Sequence, residues 1–175
     1  MGKREFKTDA RAVALAAVLA ALYAADVIFF APISFQVVQV RVADILLPLS
    51  ILFGAPAIAG LTLGVFIGNL AASPFGPVDI IGGTIANFLA TALAWAICRR
   101  KFKGAWVAAI GVEVAAITLV VGSYLSPLTN TPLVLSWVYV MAGEVIAVGF
   151  GGYILLRAVA RALRLDTVRG PARPS

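Results

Sequence analysis

Five acidic residues lie inside or at the edge of long apolar stretches of this sequence, and they are its strongest candidates for binding a charged solute. They are Asp26, Asp44, Asp79, Glu113 and Glu144. A carboxylate at the centre of a membrane-spanning helix costs about 2.5–3.5 kcal/mol on insertion scales, so such a residue usually faces a cavity or a partner. For any one of these acids, a hydrogen bond between helices accounts for its place in an apolar segment as well as ligand binding does. For the set, a polar cavity is the better explanation.

The residue types also exclude several kinds of site. The chain has no histidine and a single cysteine, Cys98, beside the basic run Arg99, Arg100 and Lys101. Histidine acid–base catalysis, a Cys/His metal site and a disulfide within the chain are therefore excluded. The sequence lacks a phosphate-binding loop of the G-x-x-x-x-G-K type, and its carboxylates are scattered rather than spaced for a metal. We predict no enzymatic activity, no cofactor, no metal and no ATP hydrolysis by this chain.

Membrane helices must position these acids. Of the 175 residues, 62% are hydrophobic and 13% charged, with a mean hydropathy of +1.01, whereas a soluble domain is about 45–50% apolar and about 25% charged. The apolar segments are 12–31, 43–53, 56–72, 78–98, 105–123 and 133–157. Because a span needs about 20 apolar residues, we predict an all-α, polytopic membrane protein of six helices. The second helix is short for a full span and is interrupted by Pro48.

Basic residues predict which way the helices run. All 14 of them except Arg41 fall into the clusters 3–11, 99–103 and 157–173. The positive-inside rule places the three clusters on the cytoplasmic side, which agrees with six spans and puts both termini inside the cell. The net charge of +6 then reflects topology rather than binding to nucleic acid. We predict a cytoplasmic segment over 1–11, a transmembrane domain over 12–157 and a basic cytoplasmic tail over 158–175, in the cell membrane.

This topology gathers polar residues in the outer half of the bundle. The candidate substrate-binding residues are Arg41, Asp44, Asn69, Asp79, Thr84, Asn87 and Glu144. One cation facing several carboxylates makes this zone electronegative, so the expected solute is a cation or a molecule with several N–H donors. Aromatic faces could stack a flat ring. The aromatic candidates are Phe35, Phe75, Tyr124, Trp137 and Tyr139.

Small residues recur at helical spacing in two segments. The first segment contains Ala12, Ala16, Ala20 and Ala24, and the third contains Gly60, Gly64 and Gly68. Such rows let helices approach closely in lipid. We expect the glycine row to serve packing within the chain. The alanine face is wide enough for internal packing and for docking to a partner subunit.

Several blocks together resemble the queuosine-precursor transporter (QueT-like) family. They are Gln39-Val40-Arg41-Val42-Ala43-Asp44, Leu47-Pro48, the run 60–70 from Gly60 to Leu70, Gly76, the run 79–86 from Asp79 to Ala86, and Gly143-Glu144. Members of this family are substrate-binding S components of energy-coupling factor (ECF) transporters. The resemblance extends from the first helix to Glu144. The family commonly has glutamate at the position of Asp44, and Glu113 has no match that we identify.

The resemblance implies a six-helix S-component bundle that binds a 7-deazaguanine base, such as queuine or its aminomethyl or cyano precursor, on its outer face. Transport would need a transmembrane coupling subunit, docked on the alanine row of the first helix, and two cytoplasmic ATPases. Glu144 or Asp79 would accept the N–H donors of the base edge, and Asn69 or Asn87 would satisfy its carbonyl. Arg41 and Asp44 would shape the pocket mouth.

Other functions stay open on the residues alone. The chain could be an S component for another vitamin or nucleobase, because S components share a fold while their pockets vary. It could also be a stand-alone transporter or channel whose buried acids carry protons or ions. Against the latter, the six short helices show no obvious inverted repeat.

Overall fold

The computed structural model describes residues 9–34 and 41–164, and within them it contains only helices. The six main helices are α1 (Ala10–Phe29), α2 (Val42–Phe53), α3 (Ala55–Ala72), α4 (Pro77–Cys98), α5 (Ala105–Leu128) and α6 (Leu133–Ala162). A single helical turn, Ala31–Ser34, follows α1. The predicted all-α, six-helix class is confirmed, and the helix ends differ from the predicted ones by a few residues. Phe35 and the segment 39–40 lie outside the described residues.

Helix α2 differs from the other five. Those five are long and apolar enough to cross a membrane, whereas α2 is not. It begins as a 3₁₀ helix, Val42–Leu46, turns at Pro48 and ends as one and a half turns of α-helix, Leu49–Phe53. At about 1.5 Å per residue its length falls well short of a 30 Å hydrocarbon core. Gly54, at φ +63°, then reverses the chain into α3, as only glycine does without strain.

Helices α1 and α3 run parallel and nearly in backbone contact. A methyl group added at Gly60 would lie 2.9 Å from the Cα of Ala16, and one at Gly68 would lie 2.8 Å from the Cβ of Val27. At Gly64 it would lie 2.9 Å from the backbone oxygen of Ala20. These separations are too short for any side chain at the three glycines. The glycine row therefore packs inside the chain, as predicted.

The same contact shows where the alanines of α1 lie. Ala20 and Ala24 are buried by the chain itself, and the backbone of Ala16 faces Gly60. Much of the row predicted for partner docking is thus occupied by α3. The small residues of α1 that stay exposed form an adjacent face, made of Ala14, Ala17, Ala21 and Ala25.

Helices α3 to α6 follow one another in antiparallel contact and define two ends of the bundle. The basic end holds the connection between α4 and α5, with Arg99, Arg100, Lys101 and Lys103, and the last residues of α6. At the opposite end, Gly82 near the start of α4 meets Tyr124 near the end of α5. Gly122 of α5 likewise approaches Trp137 near the start of α6.

Helix α6 widens where it meets α2. Residues Val145–Gly152 form a π-helical segment between two α-helical parts. Side chains added at Gly151 and Gly152 would lie 2.9 Å from Ile45 and 2.7 Å from Pro48. The widened, glycine-rich segment makes room for the kinked α2, and it begins directly after Glu144.

We expect Gly60→Ala to destabilise the protein, because its Cβ would strike the backbone of Ala16 and force α1 away from α3. Overpacking of this kind costs about 1–3 kcal/mol. The matched control is Gly111→Ala on the exposed face of α5, where an added Cβ meets nothing within 4 Å. Thermal unfolding in detergent, followed by tryptophan fluorescence, should show a lower Tm for Gly60→Ala alone. Equal Tm values for the two variants would contradict the close helix contact.

Candidate substrate-binding site

The part of the bundle away from the basic end contains a cluster of polar side chains whose exposed fraction is 2% or less. Its members are Tyr23, Arg41, Asp44, Asn69, Asp79, Asn87 and Glu144. Six of these seven are residues that the sequence analysis selected. Because buried polar groups are costly unless they are paired, their hydrogen bonds show which of them the fold itself uses and which have capacity left for a ligand.

Arg41 and Asn69 form the first arm of the cluster. The guanidinium of Arg41 donates to Asn69 Oδ1, and Asn69 Nδ2 donates to the backbone oxygen of Asp79 at 3.0 Å. Arg41 also interacts electrostatically with the side chains of Asp44 and Asp79. Arg41 and Asp44 were predicted to shape a pocket mouth. The structure places both inside the bundle, and the side-chain amide of Asn69 joins Arg41 to the backbone of α4.

Both carboxylate oxygens of Asp79 are occupied. Oδ1 accepts a hydrogen bond from the hydroxyl of Tyr124 at 2.6 Å, and Oδ2 accepts one from the hydroxyl of Ser73 at 2.5 Å. Asp79 lies in the first turn of α4, where the helix N-terminus also favours a negative charge. This carboxylate therefore links α4 to α5 and to the α3–α4 connection.

Tyr23 forms the centre of the second arm, and the sequence analysis did not select it. Its hydroxyl donates to Asp44 Oδ1 and accepts from Asn87 Nδ2, the latter at 2.8 Å. The signal that could have identified it is its position on the α1 face of Ala16 and Ala20, which packs on the glycines of α3. A fully buried phenol on a face of small residues needs a polar partner for its hydroxyl.

The carboxyl groups of Asp44 and Glu144 are buried close enough to interact electrostatically with each other. No amide, hydroxyl or guanidinium group of the described residues donates to Asp44 Oδ2, Glu144 Oε2 or Asn87 Oδ1. The second arm thus has acceptor oxygens that the chain leaves without such donors.

A pair of glycines in α4 makes room for both arms. A methyl group added at Gly82 would lie 2.6 Å from the ring of Tyr124, and one at Gly83 would lie 2.7 Å from Nδ2 of Asn69. The Gly82-Gly83 pair therefore lets α5 and α3 approach α4 at the level of Asp79. The same glycines belong to the block on which the sequence resemblance was based.

The structure does not bring Thr84 into the cluster. Its hydroxyl donates to the backbone oxygen of Ile80 in its own helix at 2.6 Å. Thr84 lies instead along an apolar groove of about 630 Å³ between α3 and α4, which Phe66, Phe88 and Trp95 also line. Its selection rested on closeness in sequence to Asp79, but the step of five residues between them turns the side chain by about 140° around the helix axis.

The predicted stacking aromatics are spread over the molecule. Tyr124 serves Asp79, and Phe75 is half-buried against the apolar core. Trp137 donates from its indole nitrogen to Ser123 Oγ at 3.1 Å, outside the cluster. Of the predicted aromatic candidates in the described residues, only Tyr124 is hydrogen-bonded to the cluster.

Glu113 lies apart from the cluster, in the half of α5 nearer the basic end. It is fully buried, and the hydroxyl of Ser50 in α2 donates to its Oε1 at 3.3 Å. The described residues thus bury four carboxyl groups, those of Asp44, Asp79, Glu113 and Glu144, against the single cation of Arg41. No group of three potential metal ligands occurs in residues 9–34 and 41–164. Among the described residues, buried acidic groups outnumber buried basic ones.

A family model described as the QueT transporter matches residues 13–161. The match includes every described member of the buried cluster, together with Ser50 and Glu113. No curated protein and no solved structure matches the chain.

We expect Tyr23→Phe to lower the stability of the protein, because it strips Asp44 and Asn87 of a shared partner while leaving the ring in place. Leaving buried polar groups without partners costs about 1–3 kcal/mol. The matched control is Tyr139→Phe, because Tyr139 is a half-buried tyrosine of α6 outside the buried cluster. Thermal unfolding in detergent should show a lower Tm for Tyr23→Phe only. An unchanged Tm would show that the second arm does not depend on this hydroxyl.

Proposed function

The chain belongs to the QueT transporter family of membrane transport proteins, and from this premise we propose that it is the substrate-capture S component of an ECF importer. The proposed substrate is a queuosine precursor, a 7-deazaguanine base such as queuine or its aminomethyl or cyano form. The observation that supports this choice most is the set of buried oxygens of Asp44, Asn87 and Glu144 that have no hydrogen-bond partner among residues 9–34 and 41–164.

A deazaguanine has the hydrogen-bonding groups that these oxygens require. Its pyrimidinone N–H and exocyclic amine lie side by side on one edge, so that a single carboxylate can accept both. An unsatisfied buried acceptor is costly. A carboxylate that receives few hydrogen bonds from its own protein therefore gains the most free energy when such a ligand donates to it. An S component for another nucleobase with the same edge is the nearest alternative.

Glu144 is our choice for the carboxylate that accepts this edge. Asp79, the other residue considered from the sequence, already accepts hydrogen bonds from Tyr124 and Ser73 on its two oxygens. Within the described part of the chain, Glu144 Oε2 and Asn87 Oδ1 have no hydrogen-bond donor, and Asn87 Oδ1 can accept a further N–H of the base. Arg41, Asn69 and Asp79 then act as the rigid wall against which this acceptor group is held.

The basic residues support an orientation with the basic end in the cytoplasm. The cluster of buried polar residues then belongs to the outer half of the bundle, where a solute arrives from outside. This orientation agrees with uptake by an importer. The energy would come from a transmembrane coupling subunit and two cytoplasmic ATPases, since this chain has no phosphate-binding loop.

A stand-alone proton-coupled transporter is the second candidate function. The observation that favours it is the burial of the neighbouring carboxyl groups of Asp44 and Glu144, because buried acids inside a membrane protein can form a proton relay. The two functions differ in what they require. Purified protein in liposomes should take up no deazaguanine by itself under our proposal, and should do so along a proton gradient under the alternative.

We expect purified protein to bind deazaguanines in calorimetry far more tightly than thiamine or riboflavin, and Glu144→Gln to weaken that binding by about tenfold to a hundredfold. The reason is that a hydrogen bond to a charged group contributes about 1.5–3 kcal/mol. The matched control is Asp26→Asn, an acid-to-amide change on α1 that is outside the buried cluster and should leave affinity unchanged.

Two results of that titration would count against the proposal in different ways. Binding of a vitamin but of no deazaguanine would refute the substrate. Undiminished binding by Glu144→Gln would retain the substrate and remove Glu144 from the role proposed for it.

We expect Ala21→Leu to reduce copurification with an ECF coupling subunit. The leucine would place a bulky side chain on the exposed face of α1 that is formed by Ala14, Ala17, Ala21 and Ala25. Close helix contacts in lipid depend on small residues. Deazaguanine binding to the isolated protein should be unchanged, and Ala115→Leu, on the exposed face of α5, should copurify normally. Equal recovery of the coupling subunit with both variants would exclude docking at this face.

A further inference from the structure

Glu113 and Ser50 form a second buried polar site, separate from the hydrogen-bonded cluster around Tyr23. Ser50 lies in the last part of α2 and Glu113 in the first half of α5. Both side chains have no solvent exposure. Their single mutual contact is long, at 3.3 Å from the Ser50 hydroxyl to Glu113 Oε1.

The site lacks donors. Within the described chain, no amide, hydroxyl or guanidinium group donates to Glu113 Oε2. A carboxylate has about four acceptor positions, and here a single distant hydroxyl serves them. The guanidinium of Arg41, the one buried cation among the described residues, donates instead to Asn69 at the opposite end. The described residues therefore bury Glu113 without a cation hydrogen-bonded to it.

The charges around Glu113 are of the same sign. It interacts electrostatically with Asp44 and with Glu144, and the partly buried thiol of Cys98 also lies within electrostatic range of it. A positive group bound at Glu113 would therefore be attracted by negative charge on any of these acids.

We propose that Glu113, with Ser50, is the subsite for a primary ammonium group on the transported base. This inference rests on the proposed function, and it adds the acid that distinguishes one deazaguanine from another. In a 7-deazaguanine the substituent at position 7 projects from the five-membered ring, away from the edge that Glu144 accepts. An ammonium there has three N–H donors, which suit the carboxyl of Glu113, whose Oε2 has no hydrogen-bond partner among the described residues.

The subsite predicts selectivity among ligands of one size. An aminomethyl group carries the positive charge that Glu113 lacks in the free protein, whereas a cyano group has neither charge nor donor. The protein should therefore prefer the aminomethyl form to the cyano form. A role confined to joining α2 and α5 through Ser50 predicts no such preference, because the helix contact is the same for both ligands.

The test is calorimetric titration of the purified full-length protein with the aminomethyl and cyano deazaguanines, using wild type, Glu113→Gln, Glu113→Asp and Asp26→Asn. Glutamine keeps an oxygen to accept the Ser50 hydroxyl and removes only the charge. We expect Glu113→Gln to weaken binding of the aminomethyl form by about tenfold or more and to leave the cyano form within about twofold. Glu113→Asp should restore part of the preference, and Asp26→Asn should match wild type.

The outcomes separate this inference from the function on which it rests. If wild type binds both bases and Glu113→Gln weakens both equally, or neither, the subsite is refuted while the proposed function stands. If wild type binds no deazaguanine, both are refuted. A lower Tm for Glu113→Gln with an unchanged ratio of the two affinities would assign Glu113 to stability alone.

Discussion

The close approach of α1 to α3 is the constraint on which the rest of the structure depends. Glycines 60, 64 and 68 leave no side chain between the two backbones, so Val27 and Ala20 of α1 lie directly against α3. At that separation the phenol of Tyr23 reaches past α3, and its hydroxyl bridges Asp44 of α2 and Asn87 of α4. A larger residue in the glycine row would move the hydroxyl and separate three helices at once. Packing between apolar helix faces thus sets the positions of buried polar groups.

The buried polar side chains fall into two sets that differ in how many hydrogen bonds they receive from the rest of the protein. Arg41, Asn69 and Asp79 satisfy one another or neighbouring hydroxyls, and they fix the ends of α3, α4 and α5. Asp44, Glu144 and Glu113 have few donors among the described residues, and they lie where the short α2 meets α5 and the π-helical part of α6. A hydrocarbon surround offers no water to such oxygens. The described residues therefore hold a group of acceptor oxygens beside a frame of paired polar side chains.

Much of this was predictable from the sequence, and the failures have clear physical reasons. Helix number, the interrupted α2 and the glycine row follow from segment length, Pro48 and a four-residue spacing, all of which are local properties. Thr84 was selected because it is close to Asp79 in sequence, yet it points toward the α3–α4 groove because helical rotation separates the two. Tyr23 was missed because a single tyrosine in an apolar helix gives no sign of its partners, which come from helices 21 and 64 residues further along the chain.

The sequence by itself determined the class of the molecule: an all-helical membrane protein with an excess of acid in its apolar segments and the motif blocks of its family. Composition and periodicity suffice for this, because hydrocarbon admits helices and penalises unpaired charge. Only the tertiary structure decided which acid does what. Asp79 and Glu144 look alike in sequence, but one receives two hydroxyl donors and the other faces a second carboxyl. That difference depends on which helices meet and at what separation, and hydrogen-bond partners distant in sequence are fixed by packing alone.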